Sequence, residues 1–464
     1  MAFNSLLFVV FFPIVCLLYY ILPFKLRNSY LLLISFLFYA IWKPVYLVFL
    51  LWVILASFFT ARIFERHRKI SIWIGVTVVL LPLLFFKYYS FFNQVLRDML
   101  PSVFSDISLP GLNWAIPIGI SFYTFQALGY VFDVYRHQIK AEQNLLHHSL
   151  FISFFPQILS GPISRYADLM PQVKQVRRPV DTGLMGQGCK FMVWGMFLKV
   201  AVADRFGLFV DTVYGQPDAF TGLTVFFATL CYSIQIYTDF AGYSLLAIGC
   251  ANILGFRIRD NFARPYFSFG FGEFWRRWHI TLSTWLRDYV YIPMGGSRTS
   301  RWKIRRNLLV TFLISGLWHG AAYTYLLWGV LHGLFVIVDR RVRQYKERCN
   351  RLVNAVGIVV TFILASLLWI LFRVPTVREA FHLCSHMLSD HRFLLQIPDN
   401  RDMKATVLTM AVMGSLVVAK DVRDEWFPAL FKGRKWTVPA MIFIVVLILM
   451  FGVFDAGQFI YISF

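Results

Sequence analysis

Residues 307–338 read NLLVTFLISGLWHGAAYTYLLWGVLHGLFVIV, an apolar hairpin between two basic stretches. Spanning a bilayer as a helix takes about 20 mostly apolar residues, and fewer where the membrane is locally thin. Runs over 307–320 and 322–338 fit that pattern, and Lys and Arg on both flanks put both flanks on the cytoplasmic side. Within the hairpin, His319 and His332 each sit in a G-x-x-H-G frame. An ionisable side chain at membrane depth is costly, so a functional role is the first hypothesis for it. For His319 the functional reading is preferred, because Gly316 and Gly320 open room for close approach of a helix or a substrate. For His332 a structural histidine is preferred, with Gly329 and Gly333 serving helix packing.

The rest of the 464-residue chain extends this reading. Hydrophobic residues make up 58% and charged residues 15%, with 49 Phe, 22 Tyr and 14 Trp. One soluble core could not hide so much apolar surface, so part of it faces lipid. This excludes a soluble globular enzyme, a disordered chain and a nucleic-acid-binding module. It predicts an all-α, polytopic membrane protein. Candidate spans lie near 3–24, 28–42, 44–61, 70–93, 113–135, 185–210, 220–238, 307–320, 322–338, 353–372, 405–419 and 438–456, about 10–12 crossings. The pieces 149–163 and 239–255 are short and read as re-entrant or interfacial, a backbone tolerated only where it is buried or lines a cavity.

The net charge of +21 is read through orientation. Basic clusters fall at 62–69, 174–178, 257–306, 340–351 and 420–435, and all five can be cytoplasmic. The loops 94–111, 211–219 and 374–404 then lie outside, as do both termini. Residues 3–24 precede Lys25 and Arg27 without a basic leader, as expected of an uncleaved first helix. The chain reads as one membrane domain: N-terminal helices to 135, a core over about 136–373, and C-terminal helices with a tail over 374–464. Six scattered cysteines offer neither a zinc spacing nor a disulfide framework. His147–His148 reads as a solvated loop pair, and no metal site is expected.

Three further stretches carry chemistry. Residues 272–297, GEFWRRWHITLSTWLRDYVYIPMGGS, are basic and aromatic. An interfacial helix would account for Trp275, Arg276, Arg277 and Trp285, but it would not call for His279 beside Trp278. A site for an anionic ligand, with Arg276, Arg277 or Arg287 on its charges and Trp278 stacking, is the alternative. Asp239, in the apolar run YTDFAGYSLLAIG (237–249), reads as a structural carboxylate that ties helix ends together. Residues 154–166, FFPQILSGPISRY, are broken by Gly and Pro. No P-loop, G-x-S-x-G or H-E-x-x-H pattern is present.

Taken together, PQILSGPISRY, YTDFAGYSLLAIG, NFARPY, FWRRWHITLSTWLRDYVYIPMGG and GLWHGAAYTYLLWGVLHG resemble the membrane-bound O-acyltransferases. The nearest likeness is to the bacterial branch of alginate O-acetyltransferases and D-alanyl transferases. The pattern departs at Leu245, where many relatives carry Asp. The resemblance implies a ring of helices around a thin waist, with a cytoplasmic donor funnel opposite an outer acceptor funnel. It implies His319 as the catalytic histidine and His279 as the second characteristic one. It further implies acetyl-CoA as a co-substrate with no bound cofactor, and a location in the bacterial inner membrane. The implied partners are a polysaccharide acceptor such as alginate and an extracytoplasmic SGNH-type protein. The terminal FIYISF resembles an acyl-relay ending of that branch, which places Tyr461 as the relay; an aromatic belt residue is the plainer reading. Chemically, a hydroxyl is a weak nucleophile near neutral pH, so neutral His319 would act as its base, with His279 as a positioning or electrostatic partner. The competing reading is a transporter or flippase of an anionic or lipid-linked substrate, and a third is a scaffold without chemistry.

Overall fold

The structure is a computed structural model. It describes residues 1, 3–66, 72–99, 115–175, 179–346, 350–397, 401–427 and 437–454. The described residues are helices and connecting segments, without a strand among them. Two compact units divide the chain, one of residues 1–189 with 247–259, the other of residues 190–246 with 260–463.

The first unit contains α1 (Leu6–Ile21), α2 (Phe24–Ala40), α3 (Leu47–Arg66), α4 (Ile72–Leu83), α5 (Tyr89–Met99), α6 (Ile120–Tyr135), α7 (Leu145–Ser153) and α8 (Tyr166–Lys174). The start of α1 shows how sequence sets these elements. Ser5 caps it by accepting from the Phe8 amide, one of the orphan donors every helix start presents. Phe8, Phe12, Val15 and Tyr19 recur at helical spacing and are buried, while Leu7, Val10, Leu17 and Ile21 face outward. An apolar face turned inward and another turned outward is the mark of a helix packed in lipid. After α7, residues 154–164 are irregular and wholly buried, as their Gly and Pro content predicts. Several of their polar groups find partners: Ser164 Oγ donates to Gln157 Oε1 (2.7 Å), Gln157 Nε2 to Phe151 O (3.0 Å), and the Phe155 amide to Ser35 Oγ (3.1 Å).

His147 and His148 are not a solvated loop pair. Both lie in α7, and His148 is fully buried, with Nε2 2.9 Å from Ser57 Oγ and its ring against Tyr130 and Phe58. Asn144 caps the helix through the Leu146 and His147 amides, so the helix begins two residues before the pair, where the histidines themselves gave no signal. Glu142 anchors the loop before α7. It accepts from Tyr166 Oη (2.6 Å) and from the amides of Gln143 and Asn144 (3.0 Å each), and it pairs with Lys174 at 2.6 Å. Burial works to raise its pKa, but Lys174 and Tyr166 outweigh burial and hold it at about 2.

The helices α9 (Thr182–Met196) and α11 (Gly222–Ile253) contribute residues to both units. The second unit adds α10 (Asp204–Gly215), α12 (Phe271–Arg277), α13 (Ile280–Leu286), α14 (Arg301–His319), α15 (Tyr323–Lys346), α16 (Arg351–Arg373), α17 (Val377–Ser389), α18 (Arg401–Trp426) and α19 (Thr437–Phe451). The expected short piece at 239–255 is instead part of α11, one unbroken helix of 32 residues. Its glycines suggested a break, but none forces one once the helix is packed.

Asp239 reaches the junction of two other helices from within α11 rather than from a helix end. It pairs at 2.7 Å with Lys199, which also pairs with Asp204 at 2.7 Å. All three are buried, and Lys199 sits on a wide helical turn, Phe197–Ala203, between α9 and α10. Nearby, the Val453 amide donates to Val200 O and Arg205 Nε to Phe451 O, so the end of α19 is fastened beside this turn.

Among the described residues, four helical stretches are long and apolar enough to cross a membrane: Pro44–Glu65, Ile72–Asp98, Arg351–Arg373 and Arg401–Trp426. Leu7–Ile21 and Val438–Phe451 are apolar but shorter. The hairpin helices α14 and α15 do not meet that criterion along their whole lengths, because basic residues occupy one end of each. The protein is a multi-pass, all-α membrane protein.

Candidate active site

Residues 272–297 form two short helices with a sharp bend rather than one interfacial helix. α12 ends at Arg277, and His279 adopts a left-handed conformation (φ 43°, ψ 55°) before α13. A non-glycine residue in that region is strained and needs neighbours that over-determine it. Residues 260–264 supply them: Ile280 N donates to Asn261 O and Ala263 N to Arg277 O, each at 2.9 Å. The Asn261 side chain completes the clasp. Its Oδ1 accepts from Thr281 N (3.3 Å), Thr281 Oγ1 (2.9 Å) and His279 Nδ1 (3.0 Å), and its Nδ2 donates to Ser244 Oγ (3.3 Å).

His319 is the last residue of α14. The close pairing of α14 with α15 fixes its position, and the glycines allow that pairing. A Cβ on Gly316 would lie 2.2 Å from Tyr325 O, and one on Gly329 would lie 2.4 Å from Phe312 O. The expectation that Gly316 permits close approach is met, by a helix backbone.

The bend and the hairpin bring the two histidines together. The His279 and His319 rings stand 6.4 Å apart, centroid to centroid, with residue exposures of 0% and 3%. Aromatic rings wall the pair: Phe240 at 4.7 Å and Trp318 at 5.7 Å from His279, and Trp318, Trp328 and Phe372 at 4.8–5.1 Å from His319. An imidazole in so apolar a lining can act as a base without competing water. His332 lies on α15, where its Nδ1 accepts from Trp275 Nε1 at 3.2 Å, with Phe271 and Trp275 edge-on to its ring and Trp328 tilted against it. Indole is a donor only, so His332 Nδ1 is the acceptor of this bond.

The other expected site residues separate. Trp278 is fully buried, stacked on Phe274 (5.5 Å) and tilted against Trp369 (4.8 Å), and forms part of the core. Arg277 is bound by Glu273 (2.7 Å) and by Glu425 of α18 (2.8 Å). Burial works against its charge, but the two carboxylates raise its pKa above the ordinary value. Arg264 shares Glu425 at 2.7 Å. Arg287 pairs with its neighbour Asp288 at 2.6 Å, and its side chain is 58% exposed. Arg276 lies on α12. Tyr461 lies outside the described residues. Among the described residues no group of His, Cys, Asp or Glu is arranged to hold a metal ion, and Cys16, Cys189, Cys231, Cys250 and Cys384 are free thiols.

Sequence reasoning missed the clasp of Asn261 on His279 and the Glu425 bridge to Arg264 and Arg277. NFARPY was visible as a motif, but no helical or strand period connects position 261 to 279, and none connects 277 to 425.

Residues 140–372 match the family model of the membrane-bound O-acyltransferases, a stretch that contains both His279 and His319. The chain is 36% identical over 432 residues to a Pseudomonas aeruginosa protein described as a probable alginate O-acetylase, AlgI, covering 90% of this chain and 80% of that one. It is 31% identical to a peptidoglycan O-acetyltransferase of Helicobacter pylori, covering 84% and 80% of the two chains. To a teichoic acid D-alanyltransferase of Streptococcus thermophilus it is 25% identical over 73% of this chain and 82% of the relative.

Proposed function

The chain belongs to the membrane-bound O-acyltransferase family, and on that premise we propose that it passes an acetyl group from a cytoplasmic thioester to an extracytoplasmic polysaccharide. As an O-acyltransferase it has a different task from a transporter or flippase. The observation that carries the proposal is the meeting of His279 and His319, forty positions apart in sequence, in one buried aromatic chamber. The alginate and peptidoglycan O-acetyltransferase relatives support the polymer acceptor.

The reaction follows from what the two residues can do. The acceptor hydroxyl oxygen attacks the thioester carbonyl carbon while His319 takes its proton. A C–O bond forms, the C–S bond breaks, and His319 returns the proton to the departing sulfur. The products are the ester and a free thiol. His279 stands beside this centre as positioning or electrostatic partner. Of the arginines considered for the donor's phosphates, Arg277 is occupied by two carboxylates. Exposed Arg287 is the better candidate, by its surface. Orientation follows from the basic clusters, with both termini outside the inner membrane. Tyr461 would then carry the acyl group to an SGNH-type partner, since a phenol is easier to deprotonate than an aliphatic hydroxyl.

The test uses the purified full chain in liposomes with radiolabelled acetyl-CoA and glycan. His319→Ala lowers acyl transfer by about 10²–10⁴-fold while insertion and yield stay normal. Near-normal transfer by that variant overturns the assignment. Tyr461→Phe keeps the ring and removes the hydroxyl, so undiminished glycan acylation by it removes the relay and leaves direct transfer.

A further inference from the structure

The contacts around Asn261 decide which nitrogen of His279 carries the proton. The amide of Asn261 is buried, and its orientation is fixed from outside the pair: the Thr281 backbone N–H donates to the side-chain oxygen at 3.3 Å. A backbone N–H can only donate, so the atom it meets is Oδ1 and not Nδ2. The Nδ2 group on the other side meets Ser244 Oγ at 3.3 Å. His279 Nδ1, 3.0 Å from the same Oδ1, must therefore supply a hydrogen. A neutral imidazole with its proton on Nδ1 has its lone pair on Nε2. The opposite arrangement holds at His332, whose Nδ1 accepts from an indole N–H.

We propose that Asn261 is a positioning residue that locks His279 as the Nδ1–H tautomer, so that Nε2 is a proton acceptor inside the aromatic chamber. This deepens the acyltransferase reading and rests on it for its consequence in catalysis. Asn261 also holds the chain geometry that makes the lock possible. It caps the start of α13 through Thr281, and its own carbonyl accepts from Ile280, the residue after the strained His279. One residue therefore acts on both: its side chain sets which ring nitrogen carries the proton and how the ring is turned, and its main-chain carbonyl helps hold the left-handed backbone beneath it. His279 Nε2 cannot donate a hydrogen bond in this state. It can only accept one, from a hydroxyl or from a protonated partner, so the work of donating to a developing oxyanion falls to other groups.

The experiment reads the tautomer directly, without any assumption about the reaction. Full-length protein labelled with ¹⁵N-histidine is reconstituted in lipid and its imidazole nitrogens are recorded by solid-state NMR, with His279→Gln identifying the His279 signals. Wild type shows a protonated Nδ1 and an unprotonated Nε2 at His279. Asn261→Leu, which removes the acceptor, loses the Nδ1–H signature and lowers acetyl transfer tenfold or more, with the KM for donor unchanged. Asn261→Asp keeps the acceptor oxygen and the cap, so it retains the Nδ1–H signature. Its added charge moves the acidic limb of the transfer-rate profile to higher pH. A wild-type His279 with its proton on Nε2 overturns the proposal, as does an Asn261→Leu protein that keeps both signature and rate. If Asn261→Leu does not fold, the wild-type and Asn261→Asp spectra decide. A correct tautomer in a protein that transfers no acyl group leaves the lock standing and refutes the acyltransferase chemistry instead.

Discussion

Substituting Gly316 by Ala tests the link between helix packing and catalysis with the smallest possible change. The new methyl would sit 2.2 Å from Tyr325 O, where ordinary contact begins at 3.4 Å. The obstacle is backbone and cannot rotate away, so α14 and α15 must separate by about 1 Å at this level, in a close-packed interior that resists it. Gly316 lies one helical turn before His319, so the displacement is carried to the imidazole. Overpacking of this kind costs about 1–3 kcal/mol of stability, and misplacing a reacting group by about 1 Å can cost about 10²-fold in rate. The expected outcome is a protein that inserts and purifies as a single species but transfers acetyl about a hundredfold more slowly. Gly215→Ala, where a Cβ meets nothing within 4 Å, controls for the added methyl and keeps full activity. Transfer assays on the two variants and wild type in one detergent decide the matter. A Gly316→Ala enzyme at the wild-type rate would refute the view that this contact positions His319.

Other consequences follow from the buried charges. Lys199→Met leaves Asp204 and Asp239 buried without their cation and lowers stability by about 3–5 kcal/mol; thermal unfolding in detergent reads it, and Lys199→Met with Asp239→Asn recovers part of the loss. Glu142 is held at about 2 in the folded protein against about 4.3 in an unfolded chain, so its contribution is fully present above that unfolded value and fades as pH falls through 2. Glu142→Gln therefore destabilises at pH 6, and its difference from wild type shrinks between about pH 4.3 and 2; a pH-independent difference contradicts the assignment.

Membrane character was legible in the sequence because burial in lipid leaves its mark on composition: 58% hydrophobic residues cannot be arranged otherwise. Most of the helices were legible too, since each is written in a contiguous run. His319 stood out because an ionisable group between glycines in an apolar run is chemically conspicuous, and the motif resemblance placed His279 beside it as a second histidine. Local rules misled where packing overrode them. Residues 239–255 looked like a short, broken piece, yet α11 runs through Ile253, and Lys199, forty positions before Asp239, neutralises the carboxylate inside it. His147–His148 looked like a polar surface pair, yet Ser57 and Tyr130 enclose His148. Arg277 looked available to an anion, yet Glu425 from α18 claims it. Only the tertiary structure could decide these points, and the 6.4 Å approach of His279 to His319. A side chain's environment is set by residues brought next to it from elsewhere in the chain. Hydrogen bonds and ion pairs act over a few ångströms of space and leave no period in sequence.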